Sequence, residues 1–157
     1  MTVLLAIDPG ACAGWAYHTD KGIVACGIVH SGDAYKNGLI YIDHPTFEPD
    51  ALAVEVPQIY PKMQGDPNDL IKLAFHAGRL LQFQFSVSRI QEIKVFLPRE
   101  WKGQMKKDVC AARVWDKLSP DEQAVVSRGG RGLAQSYLHN MMDAVGIALH
   151  ASGRRLT

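Results

Sequence analysis

A chain of 157 residues with 47% hydrophobic content can bury one substantial core and is short for two, so a single domain spanning residues 1–157 is expected. Its apolar runs fall short of the roughly 20 residues of a membrane span, and no basic segment precedes the first of them, so no membrane association and a cytoplasmic location are expected. The net charge of +1 hides an asymmetry, with 5 Lys/Arg against 9 Asp/Glu in residues 1–88 and 12 against 7 in residues 89–157, a pattern that fits either a polyanion-binding surface or ordinary surface variation.

The chain opens with Val3-Leu4-Leu5-Ala6-Ile7-Asp8-Pro9-Gly10. Five apolar residues before a lone carboxylate read as a strand buried on both faces that delivers Asp8 to its C-terminal edge. Pro9 and Gly10 end the strand, and Asp8 serves either a site or a plain turn. Residues 14–18 and 23–29 alternate large apolar with small or polar side chains around a turn at Asp20-Lys21-Gly22, predicting a three-stranded meander. Cys12, Cys26 and Cys110 are odd in number and contain no Cys-x-x-Cys pair, so they read as core residues rather than a disulfide framework or zinc ribbon.

Residues 31–50 turn to Gly, Asp, Pro and Asn and read as loop, with at most one short element around Leu39-Ile40-Tyr41-Ile42. Residues 51–57 then repeat the opening design: an apolar run, Glu55 near its end, and Pro57 to stop it. An isolated buried carboxylate costs several kcal/mol unless a partner offsets it, so two strand-end acids point to a shared cation, unless Glu55 lies exposed past its strand.

Beyond a loop containing Tyr60, either Asp66 with Pro67 behind it or Asn68 caps a helix running to about Phe85. Its apolar residues, among them Ile71, Phe75, Leu80, Phe83 and Phe85, spread beyond the third of a circumference that covering one sheet requires. The surplus predicts burial against a second copy. Residues 90–97 form a strand, and residues 106–118 a helix with Val109, Val114, Trp115 and Leu118 inward. Ser119 caps a short third helix, and Ser127-Arg128-Gly129-Gly130-Arg131-Gly132 reads as a flexible loop whose two arginines offer bidentate phosphate contacts or simply a solvated linker. On the last helix, residues 137–149, His139 and Asp143 share a face at i, i+4 and Asn140 neighbours Asp143 at i, i+3. His139 and Asp143 together with two strand-end acids favour a metal site.

In order and spacing, Ala-Ile-Asp-Pro-Gly at residues 6–10, Gly14, Glu55 at the end of a strand, and His-x-x-x-Asp-Ala at residues 139–144 resemble the RuvC-type Holliday junction resolvases of the RNase H-like superfamily. The resemblance spans nearly the whole chain. It implies an α/β fold with an RNase H-like mixed sheet flanked by helices, and a structure-selective DNA endonuclease that resolves four-way junctions as a homodimer. It further implies that Asp8, Glu55 and Asp143 bind two catalytic Mg2+ ions, for which Mn2+ substitutes. The family places a fourth ligand three residues before the last Asp, where this chain has Asn140, with His139 one position further back. Lys107 or Lys106 would neutralise charge on the scissile phosphate. Lys102, Lys106, Lys107, Arg128 and Arg131 would contact DNA, and Tyr60 would meet an unstacked base. Two rival readings are an RNA-processing nuclease of the same fold, like the YqgF-type enzymes, and a nucleic-acid-binding module without activity.

Overall fold

In a computed structural model that describes residues 2–30, 42–59 and 65–156, the elements follow in the order β1 (Leu4–Asp8), β2 (Cys12–Thr19), β3 (Gly22–His30), β4 (Ala51–Glu55), α1 (Pro67–Val87), β5 (Glu92–Phe96), α2 (Pro98–Trp101), α3 (Lys107–Asp116), α4 (Pro120–Gly129) and α5 (Gln135–Ala151). The five strands form one mixed sheet, ordered β3-β2-β1-β4-β5. The antiparallel meander β1-β2-β3 meets β4 and β5 through parallel pairings of β1 with β4 and of β4 with β5.

Strand alternation divides the core in two. Leu4, Ala6, Ala16, Ala51 and Ala53 face α5, joined there by Val114 of α3 and Val126 of α4. The small alanines let α5 lie close to the sheet centre, where Ala144, Val145, Ala148 and Leu149 are buried. On the opposite face Leu5, Ile7, Tyr17, Leu52 and Val54 meet Ile42, Leu80 and Ile90. The Gln84 amide ties the two described segments on that side together, accepting from Ile42 N–H and donating to Ile42 C=O, which also accepts from the Tyr17 hydroxyl.

The helix starts follow capping chemistry. Asp66, not Asn68, caps α1, accepting from the Asn68 N–H with Pro67 in the first turn, and Ser119 caps α4 in a reciprocal box with Glu122. Residues 42–50 lie in neither helix nor strand, as expected, while residues 31–41 and Tyr60 fall outside the described residues.

Two expectations are corrected. Val109 and Trp115 point outward on α3, and Cys110 and Val114 are the buried pair, because the helix packs on α5 through the stripe one residue further round. Residues 127–129 are not a free loop but the last turn of α4. Gly129 has no side chain there because a Cβ would stand 2.5 Å from the Cys26 carbonyl oxygen of β3. Among the described residues no helix is long and apolar enough to cross a membrane.

Candidate active site

Side chains 4, 6 and 8 of β1 and 51, 53 and 55 of β4 point to the α5 face because strand side chains alternate. The parallel register Ala6↔Ala53, Ile7↔Val54 therefore sets Asp8 beside Glu55 at the ends of the two central strands. Asp143 arrives from α5, held at depth by a close backbone contact. Gly14 pairs with Asp8 across the β1–β2 ladder, and a Cβ on Gly14 would stand only 1.9 Å from the Asn140 carbonyl oxygen. The turn of α5 carrying Asn140 thus presses on the strand next to Asp8, and Asp143 lies three residues along the same helix face.

Three half-buried carboxylates therefore gather from β1, β4 and α5. Burial pushes the Asp8 carboxyl well above its usual range, and the charges of Asp143 and Glu55 push it further than Lys102 and Lys107 pull it back. Burial also raises Glu55, against the pull of Lys102 and a hydrogen bond from Trp101. Such a cluster favours a cation.

Lys102 supplies one. Its Nζ lies 3.0 Å from Asp143 Oδ2 and 3.2 Å from Glu55 Oε2. Burial alone would favour the neutral amine, but the two carboxylates outweigh it and hold the group as ammonium. The preceding Trp101 is fully buried and its indole Nε1 donates to Glu55 Oε2 at 2.6 Å. Gly146 of α5 makes room for that indole, since a Cβ there would stand 2.5 Å from the ring. The role of Trp101 was not read from the sequence. Its one signal was a tryptophan among charged residues just past a strand, an apolar body with a single donor to place.

The other site candidates scatter around this centre. The Asn140 amide donates to the Cys12 carbonyl at 2.8 Å, and the His139 ring stands 3.5 Å from Asp108 on α3 and 3.4 Å from Gln135. Lys107 opens α3 close enough to Asp8 to act on its charge, and both it and its neighbour Lys106 are exposed. Arg128 in the last turn of α4 and Arg131 in the turn after it are both exposed.

Three carboxylate side chains are the donor chemistry a hard divalent cation takes, and their mutual repulsion leaves charge for one to neutralise. As they stand, no three His, Cys, Asp or Glu side chains among the described residues form a group arranged to hold a metal ion, and an ammonium lies between two of the acids.

No family model and no curated relative matches the chain. Solved structures share its fold, two of them resolvases. One is T. thermophilus RuvC in complex with Holliday junction substrate, 16% identical, with a TM-score of 0.51 over 97% of this chain and 93% of that one. The other is the yeast mitochondrial Holliday junction resolvase Ydc2, 16% identical, with a TM-score of 0.56 over 94% of this chain and 76% of that one. The fold is thus the RNase H-like fold of RuvC and Ydc2, the architecture expected from the sequence.

Proposed function

We propose that the chain is a divalent-metal-dependent, structure-selective DNA endonuclease that cuts four-way junctions. The observation that carries this reading is the convergence of Asp8, Glu55 and Asp143 at the ends of β1 and β4 and on α5, within a fold shared with junction resolvases. These carboxylates, Asp8, Glu55 and Asp143, would hold Mg2+, or Mn2+ in its place. When bound, such ions supply the Lewis acidity and water activation of phosphodiester hydrolysis.

The chain's own groups do the rest. Lys107, at the start of α3, brings positive charge to act on Asp8 and would meet charge developing on the scissile phosphate, with Lys106 next to it in the chain. Trp101 fixes the Glu55 carboxylate by its hydrogen bond, so that acid is oriented before substrate arrives. Asn140 holds α5 to β2 through the Cys12 carbonyl, which keeps Asp143 in reach of the strand ends.

A homodimer completes the reading. Ile71, Phe75, Phe85 and Val87 of α1 and Ile93 and Val95 of β5 remain exposed, and the outer side of α1 carries a groove of about 440 Å³ lined by Ala74, Phe75, Gly78, Arg79, Gln82, Phe83 and Ser86. A four-way junction has two-fold symmetry, so a second copy seated on this face would present paired sites to opposing strands.

Labelled four-way junction, duplex DNA and structured RNA, each incubated with and without Mg2+, test the reading. Junction cleavage that needs Mg2+ and exceeds duplex cleavage is the expected result. Preferential cutting of RNA would move the assignment to an RNA-processing nuclease, and junction binding without cleavage would leave a binding module.

A further inference from the structure

Lys102 hangs from a rigid base. Its residue ends α2, where its N–H donates to the Pro98 carbonyl, and the adjoining Trp101 is locked between Glu55 and Gly146. Beyond that base the lysine stem has four rotatable carbons, and Gly103 at φ +60 turns the chain away. The ammonium reaches into the cluster to within 3.2 Å of Glu55 and 3.0 Å of Asp143, and lies 4.7 Å from the centre of the Trp101 ring. The side chains of Lys102, Glu55 and Asp143 are 19%, 14% and 14% exposed, so little water screens these charges.

An ammonium placed there and a divalent cation bound by the same oxygens would repel at contact distance in a poorly screened site. The two cannot share the space. We propose that Lys102 is a built-in counter-cation, which holds Glu55 and Asp143 together in the metal-free protein and is exchanged for the divalent ion when the site loads. This rests on the metal-dependent reading above and adds a competing group to it. Part of the binding energy of the metal is spent on ejecting the lysine, so the apparent affinity is lowered by the fraction of time the ammonium occupies the cluster. Asp8 is raised first by burial and then by the charges of Asp143 and Glu55, against the pull of Lys102 and Lys107.

Calorimetric titration of the full chain with MnCl2 tests the exchange, comparing the native protein with Lys102→Met and Asp143→Asn. Lys102→Met should bind Mn2+ about tenfold tighter or more, as expected where an occupying group holds the site some nine-tenths of the time. A structural defect at this position would instead weaken binding. The same variant should melt below the native protein in EDTA, with the gap closing at saturating Mn2+, and Asp143→Asn should lose tight binding.

A second measurement leaves Lys102 in place. In a Trp15→Phe, Trp115→Phe protein, Trp101 is the only tryptophan of the three, and departure of the ammonium from its ring on MgCl2 addition should change its emission in step with calorimetric saturation of the same protein by MgCl2. Unchanged or weaker Mn2+ affinity in folded Lys102→Met, or Trp101 emission that does not move at saturation, would overturn the exchange while leaving metal dependence standing. No metal binding by the native protein at millimolar concentration would overturn both.

Discussion

Gly14 of β2 lies against the backbone of Asn140 of α5 so closely that an added methyl group would stand 1.9 Å from its carbonyl oxygen and 2.4 Å from its carbonyl carbon. Neither atom belongs to a flexible side chain. The contact sets the depth of α5 on the sheet, and with it the approach of Asp143 to Asp8. Gly14→Ala should therefore displace the helix rather than a rotamer, costing about 1–3 kcal/mol, the usual scale of overpacking. A drop in melting temperature together with a loss of junction cleavage is expected. Unchanged melting and cleavage would show that α5 does not need this contact.

Asp8→Asn, Glu55→Gln and Asp143→Asn should each lower cleavage by about 100-fold or more, the scale on which loss of one transition-state-stabilising group is felt. Junction binding should hold or improve, because an acid near phosphates has been removed. The same acids have a stability signature. Asp8 and Glu55 carry raised values in the folded state, so the metal-free protein binds more protons folded than unfolded and loses stability as pH rises through their titration. At neutral pH without metal, Asp8→Asn should melt above the native protein and show a shallower loss of stability with pH. A lower melting temperature for this variant would contradict the repulsion drawn from the cluster.

The opposite pH dependence is expected at the far end of the sheet. Glu122 is buried, which by itself would raise its carboxyl, but Arg154 and the N–H groups of Ser119 and Ile23 outweigh burial and hold it down at about 2. One of the two Arg154 contacts measures 2.8 Å; the second joins Nη2 to Oε1. This contribution is complete above the ordinary carboxylate value of 4.5 and disappears as pH falls toward 2. Arg154→Met strands the carboxylate and should cost about 3 kcal/mol at pH 7. Thermal melts from pH 7 to pH 2 should show the native and variant proteins converging in acid, and a constant gap would assign the loss to packing alone.

Sedimentation at micromolar concentration should give about twice the 17.3 kDa chain mass. Ile71→Glu combined with Phe85→Glu, both exposed on α1, should yield a folded monomer that nicks junctions without pairing its cuts. A native monomer that still cuts opposing strands symmetrically would remove the basis for the dimer.

The local design of the site is legible in the residues themselves. Alternation along a strand is a property of the backbone, so an apolar run ending in one acid places Asp8 and Glu55 at strand ends before any tertiary contact is known. Capping is equally local, and Ser119 followed by Pro120 and Glu122 marks the start of α4 from four residues. The choice of Asp66 over Asn68 is made by a local hydrogen bond at the helix start, but the outward turn of Val109 and Trp115 was settled only by packing, because composition permits both faces of α3.

What the tertiary structure alone decided is the company the acids keep. Asn140 meets Cys12 across 128 residues, Trp101 meets Glu55 across 46, and Lys102 meets Asp143 across 41. The sequence marked Lys102 as a basic residue for DNA. It lies among the carboxylates because Trp101 fits over Gly146, where α5 has no side chain to keep the indole away. A pattern of charges along a chain carries no record of which cation will stand between which acids, since that depends on the gap left where two helices and two strand ends close.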